Sequence, residues 1–262
     1  MPLGTEERLD VFGPDYAANL IEHVENKGGG QLEELLVRPF LRKTVADALG
    51  NRRGCRYLCC GCGKLHNTTA LADLEQLSEI VGVDYNAELI SRAESVLAGL
   101  PRKIIRVMKH NLCEPIPADT VGERFDAGGL LFVCDYVDDT VVPQMLANIH
   151  AALRPGATFV LGTVHAIWSL AMSWDHPDGA DVLQRLRRLA VNHEITVNST
   201  GNGQYKRWIR PSKWYENALN HAGFVVTSRD DLAVAETDWP NVTYKPEGLG
   251  LPVFSVITAV NG

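Results

Sequence analysis

The chain has 262 residues, 45% of them apolar and 22% charged. These are the proportions of a globular protein whose core needs no stapling, and they exclude a disordered, collagen-like or repeat-array chain. With 25 Lys and Arg against 32 Asp and Glu the formal net charge is -7, so nothing draws the chain to phosphate backbones or anionic membranes, and a dedicated nucleic-acid binder is disfavoured. The opening MPLGTEERLDVFG lacks the apolar stretch of a secretory signal. No window approaches the roughly 18 uninterrupted apolar residues of a membrane span; the best run, FVLGTVHAIWSLAMSW, is broken by Gly162, Thr163 and His165. Six cysteines (Cys55, Cys59, Cys60, Cys62, Cys113, Cys134) include four within eight residues, a clustering that reads as reduced cytoplasmic thiols rather than a secreted disulfide framework.

In chain order, residues 1–50 read as two or three helices covering one mouth of a sheet, with Tyr16, Leu20 and Ile21, then Leu32, Leu35, Leu36, Phe40 and Leu41 on apolar faces. Residues 51–165 alternate short apolar runs with helical patterns. RYLCC is ended by Gly61, and Leu65, Leu71, Leu74 and Leu77 then recur at helical spacing before SEIVGVD. Asn86 is placed as an N-cap for AELISRAESVLAGL, which Gly99 and Pro101 terminate. KIIRVMKH, FDAGGLLFV and ATFVLGTV are three further strands, the last preceded by the helical TVVPQMLANIHAAL. Strands alternating with helices imply βαβ units and a doubly wound α/β fold. After Val164 the alternation stops for about forty residues, a length that marks a lid or cap, here residues 166–210, inserted after the fifth strand. Residues 211–262 return to the same domain with one helix and two closing strands, FVVTSRD and PVFSVITAV. The whole is a seven-stranded, mostly parallel sheet with helices on both faces.

Ligands of such a sheet bind outside the carboxyl ends of its strands. The first strand ends in Gly61-Cys62-Gly63, where glycines let a ligand approach the backbone. A dinucleotide fingerprint would need a third glycine at His66, so pyrophosphate binding is disfavoured. Asp84 ends the second strand about twenty residues on, where a carboxylate accepts both hydroxyls of an adenosine ribose. His110-Asn111-Leu112 and Phe132-Val133-Cys134-Asp135-Tyr136 stand at the next two strand ends. Asp135 and Tyr136 are therefore expected to line the active site, and His165, Asp175 and His176 are candidate general bases. Tyr16, Trp168, Trp174 and His176 are assigned to the substrate chamber. Cys59-x-x-Cys62 lacks the second ligand pair of a zinc site, and no metal is expected.

Taken in order, residues 55–165 resemble the class I S-adenosylmethionine-dependent methyltransferases. YLCCGCGKL is similar to the family's first motif, approximately V-L-D-L-G-C-G-T-G, with Gly61 and Gly63 matching. The resemblance implies S-adenosylmethionine as cofactor: Cys60, Gly61 and Gly63 at its methionine part, Asp84 at the ribose, Tyr85 beside the adenine, Asn111 and Leu112 at the adenine edge, and Phe132 facing the sulfonium. The chain departs from the family at three places. Cys59 replaces the first-motif acid, Leu65 replaces the final glycine, and Asp135-Tyr136 stand where small-molecule members carry a histidine pair. The function implied is in-line methyl transfer to a small metabolite. Two alternatives stay open: a non-methylating enzyme that uses the same cofactor and releases methylthioadenosine, and a catalytically silent cofactor-binding protein.

Overall fold

The computed structural model describes residues 29–100, 104–117, 122–172, 194–199, 203–238 and 250–262. One helical run, α1, begins as Gly29–Leu32, passes through a π-helical turn at Glu33–Val37 and continues as Arg38–Leu49. The seven-stranded sheet comprises β1 (Cys55–Cys60), β2 (Leu77–Asp84), β3 (Ile105–Lys109), β4 (Phe125–Leu131), β5 (Leu153–Val164), β8 (Phe224–Ala233) and β9 (Pro252–Asn261), in the order β3-β2-β1-β4-β5-β9-β8. The first five strands are mutually parallel, and β9 runs antiparallel between β5 and β8. The remaining helices are α2 (Ala87–Ala98), α3 (Val142–Ala152), α4 (Ala166–Met172) and α5 (Ser212–His221). Within the expected cap, β6 (Glu194–Ser199) and β7 (Gly203–Trp208) form a separate antiparallel pair.

Alternation along the central strands explains the two layers of helices. Leu58 and Cys60 of β1, with Val81 and Val83 of β2, share a buried cluster with Met145, Leu146 and Ile149 of α3 and Tyr215 and Leu219 of α5. Tyr57 and Ile80, one residue out of phase, pack on the opposite face with Leu41, Val45 and Leu49 of α1 and Ile90 and Ala93 of α2. The N-cap expected at Asn86 is formed, its side chain accepting from the backbone N–H groups of Glu88 and Leu89. Among the described residues no helix is long and apolar enough to cross a membrane.

The structure corrects one element. The leucines at 65, 71, 74 and 77 lie on no α-helix; the segment holds a single 3-10 turn, Thr68–Leu71, and is otherwise turns. All four leucines are nevertheless buried, against Leu41, Val45 and Leu49, so α1 covers the face that a crossover helix would fill. The short polar residues at 66–69 favour turns: the Thr69 hydroxyl donates to the His66 carbonyl at 3.1 Å. Arg42 of α1 anchors the segment by donating to the Ala70 carbonyl at 2.9 Å. Leu65 itself has φ 70°, a left-handed conformation costing about 1 to 2 kcal/mol for a residue with a Cβ. Its side chain is fully buried, and burying a leucine contributes roughly 1.5 to 3 kcal/mol, which offsets the strain.

Close packing also fixes β4, where Gly129 lies against the hydroxyl of Tyr57 on β1, leaving no room for a methyl group. Gly129→Ala should lower stability by about 1 to 3 kcal/mol in a denaturant titration. Much of that loss should return in the Tyr57→Phe/Gly129→Ala double variant, because Phe lacks the clashing oxygen; a double variant as unstable as the single one would assign the loss to another cause.

Candidate functional site

The carboxyl ends of β2, β1 and β4 meet where the strand order reverses, between β1 and β4. The chain leaves β1 through Gly61 (φ 62°) and Gly63 (φ 49°). A Cβ at Gly61 would strike the Val133 side chain, whereas one at Gly63 would meet nothing within 4 Å, so Gly63 presents an open backbone face. Asp84 fastens this turn to β2. Its Oδ2 accepts from the Gly63 N–H at 2.9 Å and its Oδ1 from the Asn86 N–H at 2.9 Å. Its backbone carbonyl accepts from the His110 N–H at 2.9 Å, which brings the β3 end alongside. Burial pushes the Asp84 carboxyl above its usual range, opposed by the backbone N–H groups of Asn86, Gly63 and Tyr85. Tyr85 is exposed, with the Lys109 ammonium 5.6 Å from its ring centroid. Asn111 closes an Asx turn by accepting from the Cys113 N–H at 3.0 Å, and Leu112 is buried beside it.

Phe132, just beyond β4, has φ 61°, a second left-handed non-glycine residue and a strained one. It packs 5.0 Å from the ring of Phe254 and against the cluster that contains Leu32 and Val37 of α1 and Trp168 of α4. Trp168 is only 5% exposed, so its indole is a wall of this cluster and not a free face.

Four expected site residues are placed differently from a simple lining. Cys60 is buried on the α3–α5 side, so its backbone alone faces the crevice. Asp135 is 2% exposed and accepts from the Tyr215 hydroxyl at 3.1 Å, the Val164 N–H at 2.9 Å and the Thr163 hydroxyl. Its lone pairs are committed to joining the ends of β4 and β5, a positioning duty. Tyr136 is half-buried in the same 3-10 turn, Cys134–Tyr136. His165 turns toward β8, its Nε2 3.8 Å from Asp231, while its Nδ1 accepts from the Ile167 N–H at 3.1 Å. Burial lowers the His165 pKa, opposed by Asp231, so the ring is neutral at neutral pH. Tyr16, Trp174, Asp175 and His176 lie outside the described residues.

The thiols are split between the two faces of the sheet, Cys60 and Cys134 in one cluster and Cys55 and Cys62 in the other, and among the described residues no group of His, Cys, Asp and Glu converges as a metal site. Cys59 shares a hydrogen bond with the Thr68 hydroxyl at 2.9 Å, and burial pushes its pKa up to about 12.

The structure adds residues that sequence reading missed. Arg210 is 2% exposed and donates to Asp139 at 2.6 Å, to the Cys134 carbonyl at 2.5 Å and to the Val137 carbonyl, clamping the loop after β4. Its neighbours Pro211, Trp214 and Tyr215 were legible as a helix start, but nothing local marked the arginine. Glu33, in the π-helical turn of α1, accepts from Asn67 Nδ2 at 2.6 Å across the glycine turn. Burial pushes its carboxyl up to about 7, opposed by Asn67 and Lys64.

The model for a methyltransferase domain matches residues 58–159, from β1 into β5. Over those residues the chain is similar to methyltransferase domains. Comparison with curated proteins returns no significant sequence match. Among solved structures, the chain is similar to an S-adenosylmethionine-dependent methyltransferase from Mesorhizobium loti, at 22% identity and TM-score 0.60, covering 83% of this chain and 96% of that one. A methyltransferase of the same description from Clostridium acetobutylicum has 12% identity and TM-score 0.61, covering 94% and 98%. The glycopeptide N-methyltransferase MtfA, solved with S-adenosylmethionine, has 14% identity and TM-score 0.55, covering 84% and 86%. At these identities the likeness is one of fold.

A titration expectation follows from Glu33, whose charged neighbours include Lys64 and Glu34. Its carboxyl binds protons more tightly in the folded chain, about 7 against the usual 4.5. The stability it contributes is therefore full below 4.5 and is lost as pH rises through 7. Melting temperatures across that range should fall more steeply for the wild type than for Glu33→Gln; parallel curves would show that the carboxyl is not desolvated.

Proposed function

We propose that the protein binds S-adenosylmethionine along the β2–β1–β4 ends and transfers its methyl group to a small, partly apolar metabolite. The observation that carries the reading is Asp84, a desolvated carboxylate braced by two loops beside the open face of Gly63. A carboxylate offers about four acceptor sites, so beyond its backbone donors Asp84 keeps capacity for a ribose hydroxyl, and the exposed flat ring of Tyr85 next to it suits an adenine. Asn111 and Leu112 would border the base, and Gly61, Gly63 and the backbone of Cys60 the chain leading to sulfur.

When bound, the cofactor supplies an electrophilic methyl group on a sulfonium. The protein's own share is alignment and the exclusion of water, since holding nucleophile and methyl in line removes much of the entropic barrier. Phe132 and Tyr136 offer aromatic faces that favour a cation, and the Phe132–Phe254–Trp168 cluster forms an apolar wall beside them. Asp135 with Tyr215 and Thr163 fixes the β4–β5 mouth.

Residues 1–50 and 166–210 act in this reading as cover and acceptor-selecting cap on a core of residues 51–165 and 211–262. The net charge of -7 supports a small acceptor over nucleic acid, and the buried, protonated thiols support a cytoplasmic location.

Asp84→Ala should weaken S-adenosylmethionine binding by on the order of 2 to 4 kcal/mol, one to three decades in Kd, in titration calorimetry. Unchanged affinity would sink the ribose assignment. Incubated with S-adenosylmethionine alone, the protein should form little product, and an added acceptor should yield S-adenosylhomocysteine. Mass spectrometry showing catalytic build-up of methylthioadenosine without acceptor would replace methyl transfer by attack at another sulfonium carbon.

A further inference from the structure

Glu33 and Asn67 form a polar pair that the methyl-transfer reading does not use. Glu33 lies in a π-helical turn inside an otherwise α-helical run, and such turns gather at functional positions because they displace a side chain from its α-helical course. Its flanking residues Leu32, Leu35 and Leu36 pack with the cluster of Phe132 and Trp168, while Glu33 itself reaches Asn67 at 2.6 Å, on the segment that follows the glycine turn. Asn67 follows the turn after β1, and the leucines flanking Glu33 share the cluster of Phe132 just beyond β4, so the pair belongs to the β1 and β4 ends, whereas Asp84, Tyr85 and Asn111 belong to the β2 and β3 ends.

Two facts make this pair more than a clamp. Asn67 Oδ1 is a buried acceptor with no hydrogen-bond partner among the described residues, and a buried unsatisfied acceptor costs stability until a donor reaches it. Asn67 Nδ2 is already given to Glu33, so the donor must come from outside the pair. Glu33 is a carboxylate in a desolvated position with Lys64 close by, which is costly to charge unless a cation arrives. An ammonium group carries three donors and a positive charge, and it answers both needs.

A molecule whose ribose sits at Asp84 and whose sulfur points toward Phe132 carries its amino-acid end toward the β1–β4 side. That end bears an α-ammonium. The nearby alternatives are already engaged: Asp135 accepts from Tyr215, Val164 and Thr163, and Cys59 is a neutral thiol tied to Thr68. We infer that Glu33, with Asn67 Oδ1, binds the α-ammonium of the cofactor's amino-acid end, so that α1 supplies a recognition residue to a site otherwise built at strand ends. This inference rests on the cofactor reading given above.

The test compares two ligands that differ only in that end. S-adenosylhomocysteine has the amino-acid tail, and 5′-methylthioadenosine has the nucleoside and sulfur without it. Calorimetry on the whole chain should show Glu33→Gln weakening S-adenosylhomocysteine by roughly ten- to a hundredfold, the worth of a charge-assisted hydrogen bond. Methylthioadenosine affinity should stay within about threefold, which also reports an intact fold. Gln keeps the size of the side chain, so the difference isolates charge. Equal losses for both ligands would make Glu33 a loop-positioning residue, and no loss for either would remove it from the site; both outcomes overturn the inference. Wild-type protein that binds neither ligand would instead overturn the cofactor reading on which it rests.

Discussion

The site depends on one carboxylate that closes two loops at once. Asp84 accepts from Gly63 after β1 and from Asn86 before α2, so the ends of two adjacent parallel strands are held at a fixed separation by a single side chain. Parallel strands have no hairpin to set the relation of their ends, and here a polar side chain at the strand terminus does so. Asn86 then uses its own side chain to cap α2. One short sequence, Asp84-Tyr85-Asn86, thus ends a strand, exposes an aromatic ring and starts a helix.

Left-handed backbone gathers around this point. Gly61, Gly63, Leu65 and Phe132 all take left-handed conformations within the two loops that front the crevice. At Gly61 the demand is steric as well, because Val133 occupies the space of a side chain. The departure at Leu65 keeps the left-handed turn while turning its side chain into the α1 cluster. Core burial there replaces the conformational freedom of glycine, and the glycine turn stays tied to α1 and the 3-10 segment. Strain of this kind persists where surrounding packing over-determines it, and the buried leucines at 41, 65, 71 and 74 provide that packing.

The two sides of the crevice are built differently. On the β4–β5 side, Asp135, Thr163, Tyr215 and Arg210 form buried hydrogen bonds in which donors and acceptors are matched. A matched network in a low-dielectric setting is rigid. On the α1 side, Glu33 and Asn67 leave an acceptor over and a carboxylate desolvated. The first arrangement holds the sheet mouth open at a set width, whereas the second keeps unspent affinity for a cation.

The fold was legible in the sequence because its determinants are periodic. Alternating apolar runs in β1, β2 and β5, the Asn86 cap, the glycine pair after β1 and the acid about twenty residues later are all local patterns that only one architecture satisfies together. The leucines from 65 to 77 misled for the same reason: helical spacing records burial, and burial was supplied by α1 from outside the segment. The character of single polar groups was beyond the sequence. Asp135 stands at a strand end where an active-site acid is expected, yet Tyr215 from a helix 80 residues away consumes it. Glu33 looks like any acid on an amphipathic helix until the chain folds Asn67 against it. Sequence determines which groups are present and which faces they share, because those follow from neighbours along the chain. Whether a carboxylate is saturated or left wanting a partner depends on donors brought from distant segments, and that only the tertiary structure decides.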